Sequence, residues 1–196
     1  HVERFDPVME LAYVWVKAPA VGPQSDTGSV YLYFGNPAAP QAEDAGGTFD
    51  VNTVAAFHFG ETTGLPVDST AYKTAVSAGQ VFPLPASLIG GGATLSGTEP
   101  LVIDAAPQLV LNPAAGWTFE TWVRLNGLPV EPAYLLDRVG ADGKQRLSVT
   151  IGATGVEARI GEGAVAYPTP LTTGNSCASR SNSCSARKRS TRVVWR

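Results

Sequence analysis

Residues 116–125 read Gly-Trp-Thr-Phe-Glu-Thr-Trp-Val-Arg-Leu, and their alternation constrains the fold more than any other stretch of the chain. Phe119, Thr121, Val123 and Leu125 fall on one face, and Thr118, Glu120, Trp122 and Arg124 on the other. That is the two-residue period of a β-strand with one face turned toward a core. A strand with one apolar face requires partners, and the chain offers them at regular intervals. Residues 10–18 and 29–34 are rich in aromatic and β-branched side chains, the composition that suits a pleated surface. Further strands are predicted over 51–59, 93–96 with 101–103, 133–139, 145–151 and 156–160.

The turns between these segments carry their own chemistry. Gly35-Asn36-Pro37 ends the second strand, because Gly and Asn accept positive φ and Pro cannot continue a ladder. Asp142-Gly143 predicts a tight hairpin of type I′, and Ala153-Thr154-Gly155 a second turn. With 21 Gly and 15 Pro and almost no window of apolar residues at i, i+3, i+4 and i+7, the expected class is all-β, an antiparallel sandwich or jelly roll. Three regions are read along the chain: a small β unit over 1–50, a partial sandwich over 51–171, and a basic tail over 172–196 with no strand period, expected to be disordered and read as frameshifted or truncated sequence in place of closing strands.

Charge narrows the choice of partners. All 17 acidic residues lie at or before Glu162, whereas six of the 14 basic ones (Arg180, Arg187, Lys188, Arg189, Arg192 and Arg196) follow it. An acidic body does not suit a phosphate backbone, so no nucleic-acid partner is expected. Lys17 and the prolines interrupt the best apolar run, so no membrane span is expected. The chain opens on His1 and shows no basic stretch followed by an apolar one, so a signal peptide is read as removed or not included. Cys177 and Cys184 both sit in the tail; a thiol-free body is compatible with an oxidising exterior, and two cysteines without a histidine are too few for zinc.

Several motifs resemble known families. Trp15-Val-Lys-Ala-Pro, Val30-Tyr-Leu-Tyr-Phe-Gly-Asn-Pro and Gly47-Thr-Phe-Asp are similar to a small bacterial domain of unknown function that precedes LamG-like modules, in some cases within envelope proteins of the ExbB biopolymer-transport type. Val54-Ala-Ala-Phe-His-Phe-Gly-Glu, Val67-Asp-Ser-Thr, Ile89-Gly-Gly-Gly-Ala-Thr-Leu-Ser-Gly and Trp117-Thr-Phe-Glu-Thr-Trp-Val-Arg resemble the LamG-like branch of the concanavalin A-like lectin and glucanase fold. The resemblance implies a C-terminally incomplete jelly-roll sandwich located outside the cytoplasm, in the periplasm or at the cell surface, and tethered to the membrane in a longer parent. It implies non-catalytic recognition of a glycan or an envelope protein, or a structural role. The alternatives are the periplasmic part of a biopolymer-transport protein and a glycan hydrolase on the same fold.

Candidate sites are sparse. Glu61 and Asp68 could supply oxygen ligands for Ca2+ of the kind some LamG-like modules hold, but without dense Asp spacing the favoured reading is a solvated acid and a turn cap. His58 reads as a packed or edge histidine. Tyr13, Trp15, Tyr31 and Tyr33 alternate along two strands and would build an aromatic face, either a stacking platform for sugars or a covering for the region that follows. A glycosidase on this fold pairs two carboxylates on one strand, but the same-face neighbours of Glu120 are Thr118 and Trp122, so no catalytic residue is assigned. Gly90-Gly91-Gly92 lacks the Lys-Ser/Thr of a phosphate loop and reads as a flexible bend.

Overall fold

The computed structural model describes residues 1–18, 20, 22–23, 29–110, 117–168 and 173, together with the backbone of Ser176–Cys177 and Val193–Val194. The protein is all-β and antiparallel throughout, with one four-residue helix and one 3-10 turn among the described residues. It divides into two compact units, His1–Val110 and Leu111–Arg196.

In the first unit, β1 (Val2–Asp6) and β2 (Leu11–Val14) form a hairpin. Asp6 shapes its turn: Oδ1 accepts the N–H groups of Val8 and Met9 at 3.1 and 3.0 Å, and Oδ2 accepts from Arg4. The pairing runs Val2 with Val14 and then Arg4 with Tyr13. Two steps on β1 against one on β2 leave Glu3 as the extra residue of a β-bulge, a device that re-aims a side chain. Helix α1 (Ala45–Thr48) is capped by Asp44, whose Oδ1 accepts from Gly47 N at 2.8 Å. Two short sheets follow, β3 (Val76–Ala78) with β6 (Val102–Ile103), and β4 (Phe82–Ser87) with β5 (Gly90–Thr94).

The glycine triplet is a strand and not a bend. A Cβ on Gly91 would stand 2.6 Å from Gly60 Cα and 2.8 Å from Phe59 O, and one on Gly90 would stand 2.8 Å from Glu3 Cγ. Glycine is there because two other segments approach its backbone closely. Strand β4 escaped the sequence reading because of Pro83 and Pro85. In a two-stranded sheet both strands are edges, so each proline can turn its missing N–H outward. The strand expected over 51–59 shrinks to one bridge, Phe57 with Asp68. Asp50 is the reason: its Oδ1 takes the N–H groups of Asn52 and Thr53 and the Thr53 hydroxyl, each at 3.0 Å, which turns the backbone that a ladder would need. Residues 29–34 form no strand with any described partner.

The second unit is built on a four-stranded antiparallel meander in the order β12 (Gly163–Tyr167), β11 (Gly155–Ile160), β10 (Gln145–Gly152), β9 (Ala133–Val139). The β9–β10 turn falls where Asp142-Gly143 predicts it but differs in type. Gly143 N donates to Gly140 O at 2.9 Å and Gly140 N to Lys144 O at 2.8 Å, while Gly143 takes positive φ and Asp142 does not. This is a three-residue loop with a left-handed glycine, which needs one such residue where type I′ needs two. Val149 and Ile151 on β10 and Val156 and Ala158 on β11 make the buried cluster, and Trp117, Phe119, Val123, Leu125, Leu135 and Leu136 pack on it.

The alternation over 117–125 is realised side chain by side chain. Trp117, Phe119, Thr121, Val123 and Leu125 are half-buried, and Thr118, Glu120, Trp122 and Arg124 are exposed. The predicted single strand is split into β7 (Glu120–Thr121) and β8 (Val123–Arg124) because its partners are two separate pairs, Val193–Val194 (β14) against β7 and Ser176–Cys177 (β13) against β8. The remainder of the predicted 172–196 tail, Thr173 apart, lies outside the described residues.

Candidate functional site

Two constellations of polar side chains organise the first unit. The first centres on Asp68, 1% exposed. Its Oδ1 accepts Ala56 N and Thr70 N, both at 2.9 Å, and its Oδ2 accepts Thr70 Oγ1 and Thr74 N, both at 2.8 Å. Burial pushes the Asp68 carboxyl up, but the backbone N–H groups of Ala56, Thr70 and Thr74 and the Thr70 hydroxyl hold it below the ordinary carboxylate value. Tyr72 OH to Val51 O at 2.8 Å and Gln108 Nε2 to Thr74 Oγ1 at 2.8 Å extend the same network. Glu61, the other oxygen ligand considered for Ca2+, receives Val67 N on Oε1 at 2.8 Å across the loop that holds Gly64 at positive φ. Both carboxylates thus hold backbone, and Asp68 has four protein donors.

The second constellation lies where the bulge turns Glu3 inward. The Glu3 side chain is 3% exposed and bonds His58 Nδ1 through Oε2, and the same oxygen receives Trp15 Nε1 at 2.9 Å. A buried carboxylate requires such partners, since an isolated one would neutralise instead. His58 is ringed by His1, Trp15 and Phe49, with ring centres 5.1, 5.5 and 5.9 Å away. Its other nitrogen, Nε2, is buried without a hydrogen-bond partner, a state that costs about 1–3 kcal/mol. His1 is held in the same way as His58, its Nδ1 lying 2.8 Å from Glu43 Oε1, which also accepts Val2 N at 2.9 Å. One donor atom from each of His1, Glu3 and His58 lies within 4.8 Å of the other two. Phe59, directly after His58, adopts φ 56°, a conformation that bulky residues seldom take and that marks local strain.

The four aromatic positions separate. Tyr13 is half-buried on β2, and Trp15 serves the Glu3–His58 pair. Tyr31 and Tyr33 are 75% and 90% exposed, and with Val30, Leu32 and Phe34 they make a run of five exposed apolar side chains. In the second unit Glu120 is exposed on β7 between Thr118 and Trp122 on the same face.

Sequence reasoning passed over His1, Glu3 and Glu43. One signal was present: Gly90-Gly91-Gly92 marks close approach to β5, by the backbone of Phe59 and Gly60 at Gly91 and by the Glu3 side chain at Gly90.

These features define an antiparallel all-β protein whose first unit encloses a carboxylate–imidazole cluster. Residues 1–75 match the family model described as a domain of unknown function (DUF2341), and that match contains Glu3, Trp15, Glu43, His58, Asp68 and Thr74. The searches among curated proteins and among solved structures found no match. No helix among the described residues is long and apolar enough to cross a membrane.

Proposed function

We propose that the chain is a non-catalytic recognition module of a bacterial cell envelope, working outside the cytoplasm, and that its first unit contacts a glycan. The observation that carries this reading is the run Val30, Tyr31, Leu32, Tyr33 and Phe34, exposed at 66, 75, 70, 90 and 91%. Contiguous exposed apolar surface on a soluble unit marks an interaction site, and tyrosine offers an apolar face for the C–H surface of a sugar ring with a hydroxyl for its polar edge. Residues 51–171 are read as a partial LamG-like, jelly-roll module; its support in the second unit is the alternately half-buried segment 117–125 and the antiparallel meander on which it packs. The placement in the envelope rests on the resemblance of the motifs around Trp15 and Tyr31 to domains found there.

A screen against bacterial cell-wall and surface polysaccharides, run in Ca2+ and again in EDTA, tests this reading. Saturable binding that persists in EDTA is expected, since Asp68 already accepts four protein donors and Glu61 Oε1 holds Val67 N. Failure to bind any polysaccharide overturns the glycan reading.

A further inference from the structure

We infer that His1 and His58 form a site for a divalent transition-metal ion of the zinc class, coordinating through their Nε2 atoms. The argument begins with the two Nδ1 atoms. Each is committed to a carboxylate, His58 to Glu3 and His1 to Glu43, and a neutral imidazole that donates from Nδ1 keeps its lone pair on Nε2. A carboxylate behind an imidazole is the arrangement that fixes the tautomer and raises the basicity of a ligating histidine. Both rings have it.

Spacing agrees. Two imidazoles bound to one tetrahedral ion through bonds of about 2.0–2.1 Å place their ring centres about 5 Å apart, and those of His1 and His58 are 5.1 Å apart. The independent observation is His58 Nε2 itself, buried with no hydrogen-bond partner, the condition of a ligand atom whose partner is an ion. Glu3 adds a negative charge beside the cluster, since one donor atom from each of Glu3, His1 and His58 lies within 4.8 Å of the other two, and Trp15 holds that carboxylate on His58 Nδ1. Imidazole donors suit Zn2+, Cu2+ and Ni2+ over Ca2+, so this site is separate in chemistry from Glu61 and Asp68.

The site is tested by titrating Zn2+ into the metal-stripped chain against a chromophoric chelator and by recording the melting temperature with and without the ion. One Zn2+ per chain and a rise in melting temperature are expected. His58→Ala removes both effects, and Glu3→Gln weakens binding about 10–100-fold. Should His58→Ala fail to fold, His1→Ala supplies the same loss from the periphery of the cluster, and Co2+ in place of Zn2+ gives an absorption spectrum that reports nitrogen coordination. Tyr31→Ala/Tyr33→Ala leaves Zn2+ binding unchanged, so failure of the glycan reading and failure of the metal site are distinguishable. Absence of stoichiometric Zn2+ binding, or binding that His1→Ala and a folded His58→Ala variant retain in full, overturns the proposal.

Discussion

Asp68 and Ala56 are twelve residues apart in sequence and joined by a 2.9 Å hydrogen bond from the Ala56 N–H to Oδ1. That bond, with the Ser69 N to Ala56 O bond at 2.9 Å and the Phe57–Asp68 bridge beside it, holds the segment that delivers His58 to Glu3. The buried carboxylate therefore acts on the His58 segment through the backbone of Ala56 and Phe57.

Removal of Asp68 tests this dependence. Asp68→Ala strands the N–H groups of Ala56, Thr70 and Thr74, and the expected loss is about 3 kcal/mol or more. Chemical denaturation of the two proteins measures it; a loss under about 1 kcal/mol would contradict the role given to this residue.

The same carboxylate fixes a pH dependence. Its folded value is depressed below the ordinary 3.8, so its contribution is fully present above the unfolded value and is lost as pH falls through the folded one. The stability gap between the wild type and Asp68→Asn is therefore expected to stay level from pH 7 to about 5 and to narrow below about 4. A gap independent of pH down to 2 would show that Asp68 is not the ionised hub described.

Close approach of β5 to the His58 segment predicts an asymmetry among glycines. Gly91→Ala drives a Cβ into Gly60 Cα and Phe59 O, backbone atoms that cannot rotate away, for an expected loss of about 1–3 kcal/mol. Gly127→Ala, with nothing within 4 Å, is expected to stay within about 0.5 kcal/mol of the parent. Thermal melts of the two variants make the comparison.

In the second unit the core prediction is simple. Ile151 is 1% exposed in the buried cluster and Val130 is 99% exposed. Ile151→Ala is expected to cost about 2–5 kcal/mol, and Val130→Ala to be neutral. Equal effects in a denaturant titration would mean that the meander does not carry this core.

The second unit was more legible in the sequence than the first. The predicted segments 133–139, 145–151 and 156–160 correspond to β9, β10 and β11 to within a residue, because hairpin strands pair with their sequence neighbours and glycine-containing turns announce them. β12 was missed, its Gly-Ala-Val-Ala-Tyr being poor in the residues that favour strands. In the first unit the decisive contacts join residues 3 and 58, 1 and 43, and 56 and 68. No local period encodes such pairings, and a bulge that turns Glu3 inward defeats the alternation rule at the one position where the site needs it. Asp50 likewise silenced a strand through its own side chain, a competition that apolar patterning does not register.

Binding by the exposed aromatic run is the central claim, and one titration tests it most directly. With a polysaccharide identified in the screen, the wild type and Tyr31→Ala/Tyr33→Ala are compared by calorimetry, with melting curves run in parallel. Both side chains are largely in solvent, so the melting temperature is expected to hold while affinity falls at least tenfold, about 1.4 kcal/mol. Unchanged affinity in the folded double variant would contradict the account.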